Sequence, residues 1–379
     1  MIKSTLRLMV SAILLLSLSK CNQTDNKSDA VKFHSMLSSY WKDVYKLKPL
    51  DATMFGDYSY NDQFQNNCTQ AYRDECRRFY LRYQDSLKAF DPAHMDEQDL
   101  LSYNMLQYDL KTALEAAKFD SWKIPFTQMG DPGNTLSANM VLAMGQYGSG
   151  ESVQPFKTVK DYEDWLKRVH GYIFWVDSAI GNFKQGMATN YILPKTLVVK
   201  MVDICNGLVN EDITKSIFYG PVNKMPATFS AEEKSRLTAL YTAVIKDELN
   251  VAHKKLASFL KDDYLPKART TSGVGDLPDG LAYYKHLVKE WTTTDKTLDE
   301  IYNTGISEVK RITAEMESVK NSTGFKGDLP AFFEFMRNDK QFFPFKNPGE
   351  VLDSFRHIYD IIKPSLPKYF ALFPIGRAS

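Results

Sequence analysis

Residues 162–183 read YEDWLKRVHGYIFWVDSAIGNF, and this pattern sets the architecture expected of the chain. Its apolar side chains recur every three or four residues, so they share one face of a helix. They are Tyr162, Trp165, Leu166, Val169, Ile173, Val176, Ile180 and Phe183. The segment therefore predicts a long amphipathic helix with one face buried in a core.

The same helical spacing recurs along most of the sequence. Similar stripes begin near Phe33, Tyr72 and Leu100, whereas the alternation typical of strands is scarce. A very apolar run from Leu197 to Val209 is expected to form the most buried helix. The sequence therefore predicts an all-α fold, a large multi-helix body with long loops.

Capping boxes mark two further helix starts. Ser230 with Glu233, and Thr297 with Glu300, each place a hydroxyl three residues before an acid that reaches back to it. The first box predicts a helix that runs to about Tyr264, just before Pro266. Three late helices are expected roughly over Leu329–Arg337, Glu350–Ile362 and Lys368–Phe373.

Composition narrows the class of protein. The 379 residues include 47 basic and 46 acidic side chains, with 44% hydrophobic and 25% charged residues. These values are typical of globular proteins, and a near-neutral chain gives no electrostatic reason to expect nucleic acid as a partner. Four cysteines and six histidines are too few for a disulfide-built or metal-rich protein.

The N-terminal residues have the pattern of an export signal. Residues 1–20 combine Lys3 and Arg7 with the apolar stretch Leu8–Leu18, which is too short to span a bilayer. The following Leu18-Ser19-Lys20-Cys21 resembles a bacterial lipobox, which implies lipid on Cys21 and attachment to a membrane of the cell envelope, in the periplasm or at the outer membrane. Ordinary secretion with an unmodified Cys21 is the alternative.

Two segments follow the predicted signal. Residues 21–30 are polar and predict a solvated tether, and residues 31–379 predict the helical domain. Glycine-rich stretches near 129–150 and 271–280 interrupt the helical pattern. Long loops of this kind are either walls or lids of a site or plain connectors, and the sequence leaves both interpretations open.

No residue pattern amounts to a complete active site. The chain has no H-E-x-x-H and no G-x-S-x-G, the motifs of common zinc and serine hydrolases. His286 and Glu290 share a helical face and form two of the ligands that a metal would need, but a third must come from elsewhere. The alternative is an ordinary surface or core pair.

The cysteines after Cys21 predict little chemistry. A disulfide between Cys68 and Cys76 requires the intervening helix to begin after about Arg73, because eight helical residues rise about 12 Å and a disulfide spans less than about 7 Å. Disulfide and thiols both remain open. Cys205 lies in an apolar run and is expected to be a small buried side chain.

Several segments, each weak alone, match one family in order and spacing. Pro49–Asp57 reads P-x-x-A-T-x-x-G-D, and Thr158–Arg168 reads T-x-x-D-Y-x-x-x-L-x-R. From about Phe33 to Pro374 the chain resembles the bacterial family known as domain of unknown function 885, whose members are often exported lipoproteins. The remaining matches are Gly186, Pro194-Lys195, Val198-Val199, Leu277–Gly280 with Tyr283-Tyr284, Thr292–Thr294, Glu300–Gly305, Glu308-Val309 and Arg311-Ile312.

The resemblance implies a helical zinc metallopeptidase architecture acting on peptides. In its usual form, H-E-A-x-P-G-H supplies zinc ligands and a general base, beyond the part that corresponds to Ala371–Pro374. This chain ends at Ser379 without that motif, so we expect a shortened, catalytically silent N-terminal portion that holds no cofactor, zinc being confined to intact relatives. The alternative is a non-enzymatic helical lipoprotein of the envelope that binds peptides.

The resemblance also suggests a substrate-contact region. Gly280, Tyr283 and Tyr284 follow the second glycine-rich loop. A tyrosine pair can stack on a substrate and donate hydrogen bonds, and glycine permits close approach of a backbone. The other interpretation is that these aromatic side chains only pack where the loop meets the next helix. No metal or catalytic residue is assigned.

Overall fold

The computed structural model describes residues 29–128 and 154–370. The protein is 75% helical, and strand-type pairing within those ranges is limited to isolated bridges such as Pro194 with Arg269. The all-α prediction is therefore confirmed. The predicted signal, Cys21 and most of the first glycine-rich stretch lie outside the described residues.

The chain divides into two compact units, with the boundary between Thr294 and Asp295. The helices of the first unit are α1 (residues 29–47), α2 (Pro49–Met54), α3 (Gln70–Leu87), α4 (Glu97–Ala116), α5 (Val159–Ala188), α6 (Lys195–Gly207), α7 (Gly220–Asn223), α8 (residues 231–264) and α9 (Gly280–Thr292).

Helix α5 lies at the centre of the larger core of this unit. Its predicted stripe is buried, with Tyr162, Val169, Val176 and Phe183 inaccessible to solvent. The helix begins with a capping box, in which the Thr158 hydroxyl accepts from the Asp161 N–H. Side chains from α6 and α8 complete this core.

A second row of side chains on α5 is polar and fastens other segments to it. Arg168, Trp175 and Asn182 recur every seven residues and therefore lie on one face of the helix. The Trp175 Nε1 donates to Asn67 at 2.7 Å, and the Asn182 amide donates to the carbonyls of Cys68 at 2.9 Å and Trp122 at 3.1 Å. The chain from Thr53 to Cys68 is held along α5 in this way.

Arg168 needs the most hydrogen-bond partners in this row, because its charged guanidinium is buried. It donates to the carbonyls of Tyr60 at 2.8 Å and Gln63 at 2.9 Å, and to the Thr53 hydroxyl at 2.9 Å. It also donates to Gln154 at 3.0 Å. Burial lowers the pKa of Arg168 to about 10, with Asp62 and Asp164 opposing this shift.

A smaller core lies between α1, α3 and α4. Its buried members include Phe33, Phe79, Tyr103 and Leu110. Because α3 begins at Gln70, well before Arg73, the condition for a disulfide between Cys68 and Cys76 is not met, and the two are not joined.

Helix α8 begins at the predicted capping box and reaches Tyr264 as expected. The Ser230 hydroxyl accepts from the Glu233 N–H at 3.1 Å. Two π-helical turns, Val244–Leu249 and Phe259–Tyr264, flank the buried His253. The Tyr172 hydroxyl lies 2.9 Å from His253 Nε2, and burial lowers the pKa of His253 to about 4.

The expectation that the segment from Leu197 to Val209 is the most buried helix is wrong. It forms α6, whose buried side chains are Val198, Met201, Val202 and Cys205. Val199 and Ile204 lie on its exposed face. An apolar sequence does not ensure burial, because one side of α6 faces solvent. Helix α5 has a more mixed sequence, yet more of its side chains are buried in the core. Cys205 is buried as expected, and burial raises the pKa of its thiol to about 12.

The second unit consists of α10 (Leu298–Ser322), α11 (Leu329–Asn338), α12 (Pro348–Ile362) and α13 (Leu366–Tyr369). The capping box at Thr297 is present, and the Lys320 ammonium donates to the Gly327 carbonyl at 2.7 Å. The last predicted helix begins two residues early and ends at Tyr369. Large apolar side chains are exposed on this unit, including Phe343, Phe355, Ile361 and Phe370.

None of the helices in the described part of the chain combines the length and the apolar character needed to cross a bilayer.

Replacing Arg168 with methionine should destabilise the first unit by about 3–5 kcal/mol, because two backbone carbonyls and a buried hydroxyl lose their donor. Chemical denaturation of the full chain measures this loss. Lys167→Met is the matched control. It removes an exposed positive charge from the preceding position and should change the free energy of unfolding little. Equal stabilities for the two variants would contradict the role given to Arg168.

Acid should weaken the first unit through His253. An unfolded histidine takes up a proton near pH 6.5 and the folded one only near pH 4, so stability is constant above pH 6.5 and falls between those values. The contribution lost is about 3 kcal/mol. For His253→Gln, the free energy of unfolding should change less with pH over this range than it does for the wild type. The exposed control His170→Gln should keep the wild-type dependence on pH. Chemical denaturation at several pH values measures both.

Candidate functional site

One concave surface of the first unit is a groove of about 880 Å³. Helices α1, α2, α3 and α4 form it, and the end of α9 closes one side at Glu290 and Thr293. Its aromatic lining consists of Tyr40, Trp41, Tyr45, Phe55, Phe79, Tyr80 and Tyr108. We call this surface the aromatic groove.

Helix α1 supplies three of the seven aromatic side chains, Tyr40, Trp41 and Tyr45, because it has two apolar faces. Phe33 points into the smaller core, whereas Trp41 and Tyr45, four residues apart, lie along the groove. Trp41 remains 52% exposed, and the ring of Tyr45 stacks against that of Phe55 with centroids 6.3 Å apart. Exposed aromatic rings in a concave surface are typical of binding sites.

Acidic groups dominate the charge of the groove. Asp51, Asp109 and Glu290 line it, and Lys48 is its single basic side chain. Desolvation raises the pKa of Asp51, with Lys48 opposing the shift, and desolvation also raises the pKa of Asp109. The lining of the groove therefore has two more carboxyl groups than amino groups.

The predicted contact residue Gly280 serves the chain's own backbone. It follows Asp279, which has a φ of 56°, and a Cβ at position 280 would lie 2.2 Å from the Val274 carbonyl oxygen. Glycine is therefore required because the loop folds back on the start of α9. Whether a substrate also approaches Gly280 stays a prediction.

The tyrosine pair diverges on α9. Tyr283 is buried with its ring centroid 5.1 Å from that of Phe119, whereas Tyr284 is 44% exposed. Neither belongs to the lining of the aromatic groove, although α9 itself does, and the Tyr108 hydroxyl donates to the Lys289 carbonyl at 3.0 Å. Substrate contact by either tyrosine stays a prediction.

Sequence reasoning missed the groove. The stripe that begins near Phe33 predicts helix α1, but its spacing does not show which of its aromatic side chains enter the core and which line the groove. The sequence did contain one signal, which was the width of the apolar stripe on α1. Tyr40, Trp41, Val44 and Tyr45 cover a wider arc of the helix surface than one buried face requires. The opposing carboxylates on α2 and α4 lie far apart in sequence and gave no signal.

The residues described here do not fit a zinc site. His286 Nε2 lies 3.6 Å from Glu290 Oε2, and its ring packs against Phe119 with centroids 5.3 Å apart. Over residues 29–128 and 154–370, no three histidine, cysteine, aspartate or glutamate side chains converge to hold a metal ion.

The segments that match family motifs have structural roles in this chain. Gly56, with a φ of 85°, ends α2: its N–H donates to the Thr53 carbonyl and the Asp57 N–H donates to the Ala52 carbonyl, a Schellman motif. Thr53 in turn accepts from Arg168, which belongs to the second motif. The two motifs therefore meet in one hydrogen-bonded cluster.

Comparisons with solved structures agree with this fold. A protein described as a "putative lipoprotein" from Colwellia psychrerythraea superposes with a TM-score of 0.73 at 17% identity, covering 92% of this chain and 61% of that one. A second, from Shewanella oneidensis and described as a "putative lipoprotein of unknown function", gives 0.54 at 14% identity, covering 78% of this chain and 49% of that one. The chain thus spans less than two thirds of either neighbour.

No curated protein matches the chain. The family model described as "Bacterial protein of unknown function (DUF885)" matches residues 49–378. That range includes the Thr53–Arg168 cluster, the groove residues on α2, α3 and α4, and the loop before α9. By this match the chain belongs to the bacterial DUF885 family.

Proposed function

We propose that the chain is an exported, lipid-anchored protein whose first unit binds peptides in the aromatic groove. The observation that carries this proposal is the combination of seven aromatic side chains with three carboxylates and one lysine around a single concave surface. The groove volume of about 880 Å³ lies in the range typical of ligand sites.

Charge specifies the peptide. A surface with an excess of two carboxylates attracts lysine or arginine side chains, or an N-terminal ammonium. The faces of Trp41 and Tyr45 also favour cations by cation–π contact and apolar side chains by burial. We therefore propose basic peptides with aromatic or aliphatic residues as the ligand class.

Binding without catalysis is the form of this function that the described residues support. The resemblance to zinc metallopeptidases supports peptides as the substrate class, and a hydrolytic role for intact relatives is part of the same proposal. The described residues of this chain supply a binding wall and no zinc ligands. The proposed function therefore needs no metal.

Two observations support a location in the cell envelope. The segment before Cys21 resembles a lipobox, and both solved neighbours carry the description of lipoproteins. A single acyl chain binds membranes only marginally, so stable anchoring would rest on more than one chain at Cys21.

Basic peptide binding should depend on Trp41 and Asp109. Using a peptide of alternating lysine and phenylalanine, we expect Trp41→Ala to weaken binding about tenfold through lost ring contact. Asp109→Asn should weaken it about fivefold at low salt and less at high salt, because a screened charge attracts less. Isothermal titration calorimetry on the full chain measures both.

The matched controls leave the groove intact. Trp291 is exposed outside the groove lining, and Asp85 pairs with Lys88 on the surface. Trp291→Ala and Asp85→Asn should bind the peptide as the wild type does. Equal losses in test and control variants, or no binding by the wild type, would contradict the groove as a peptide site.

Lipidation of Cys21 should be visible directly. Cells that express the full chain with radiolabelled palmitate should yield a labelled protein that partitions into detergent. Cys21→Ser should abolish the label and move the protein to the aqueous phase, whereas Cys76→Ser should do neither. Label that persists in Cys21→Ser would overturn the anchor.

A further inference from the structure

A second concave surface lies on the first unit, apart from the aromatic groove. It is a cleft of about 230 Å³ between the Lys118–Lys123 turn, the end of α5 and the loop before α9. It has no lining residue in common with the groove. An inference about this cleft therefore stands whether or not the groove binds peptides.

Two turns with left-handed backbone build its walls. Asn190 has a φ of 59° and Asp279 a φ of 56°. Tyr191 directly follows the first of these turns and packs against α5, where its N–H donates to the Gly186 carbonyl at 2.8 Å. A Cβ on Gly186 would lie 2.6 Å from the Tyr191 carbonyl oxygen. Gly186 is therefore the residue that permits the position of Tyr191.

The Tyr191 hydroxyl is the observation that points to a ligand. Tyr191 is only 3% exposed, and its hydroxyl has no hydrogen-bond partner among the residues described here. Buried hydroxyls nearly always have one, because a hydroxyl that has left water without gaining a partner destabilises the fold. The hydroxyl interacts electrostatically with Asp120, Asp279 and Tyr283. Asp120 and Asp279 both line the cleft.

The cleft carries balanced charge. Lys118 and Lys123 oppose Asp120 and Asp279. Asp120 and Lys123 neutralise each other, with the ammonium 2.6 Å from the carboxylate, so the groups left for a ligand are the Lys118 ammonium, the Asp279 carboxylate and the Tyr191 hydroxyl. A cation alone would leave the Lys118 ammonium without a partner, and an anion alone would leave the Asp279 carboxylate without one.

We propose that the cleft binds a zwitterion the size of an amino acid or a dipeptide. Its ammonium group donates to the Asp279 carboxylate and the Tyr191 oxygen, and its carboxylate accepts from Lys118. A volume of about 230 Å³ corresponds to roughly seven or eight water molecules, which matches a ligand of this size. Burial and the nearby carboxylates raise the pKa of Tyr191, so it stays a neutral hydroxyl.

Titration calorimetry with the full chain tests this proposal. The probes are L-alanine and L-alanyl-L-alanine, with N-acetyl-L-alanine and L-alaninamide as analogues that lack one charge. We expect at least one zwitterion to bind, and each blocked analogue to bind about tenfold more weakly. Which zwitterion binds distinguishes a free amino acid from a dipeptide. No binding of either at millimolar concentration, or equal binding of the blocked analogues, would overturn the proposal.

Three variants assign the site. Tyr191→Phe removes only the hydroxyl and should weaken zwitterion binding about tenfold, while its melting temperature stays unchanged or rises because an unsatisfied group is lost. Asp279→Asn keeps a residue that tolerates positive φ and should weaken binding similarly. Tyr58→Phe changes an exposed tyrosine that lines neither the cleft nor the groove, and this variant should bind as the wild type does.

The variants also separate this cleft from the groove. A lower melting temperature with unchanged affinity in Tyr191→Phe would show a purely structural tyrosine and overturn the proposal. Loss of zwitterion binding in Asp109→Asn, with full binding in Tyr191→Phe, would place the ligand in the aromatic groove instead. Loss of basic-peptide binding in Asp109→Asn alone leaves the cleft proposal intact.

Discussion

A buried arginine imposes the strictest requirement on this fold. The Arg168 guanidinium must be fully hydrogen-bonded where water cannot reach it, and its partners come from the Thr53–Gln63 segment and from Gln154. Trp175 and Asn182 extend the same row along α5. The segment from α2 to α3 is therefore fixed to the central helix by polar contacts, and the apolar core forms around that arrangement.

The aromatic groove depends on this attachment. Helix α2 contributes Asp51, and Phe55 follows its last turn, so the floor of the groove is set by the same segment that Arg168 holds. The motifs shared with the family thus act indirectly on the groove: Thr53, Gly56 and Arg168 hold α2 in position, and α2 carries the carboxylate of Asp51. A similar relation holds at the cleft, where Gly186 permits the position of Tyr191.

Sequence periodicity was enough to predict the helices, and the capping boxes fixed their starts at Ala231 and Leu298. Local hydrogen bonding decides such features, so local sequence reports them. Burial was harder: α6 looked buried because its run is apolar, yet one face meets solvent. The aromatic groove was not predicted because Trp41, Asp109 and Glu290 converge only in three dimensions. Gly280 was predicted to let a substrate approach closely; the structure shows that the chain's own backbone approaches it, and contact with a substrate stays a prediction.

The central claim is that α1, α2 and α4 form a peptide-binding surface held in place by α5. Amide hydrogen exchange of the full chain, measured with and without a saturating basic peptide, tests it most directly. The account predicts slower exchange over residues 40–55 and 104–116, which contain the groove lining of those helices. Slower exchange confined to other segments, or no change anywhere, would contradict it.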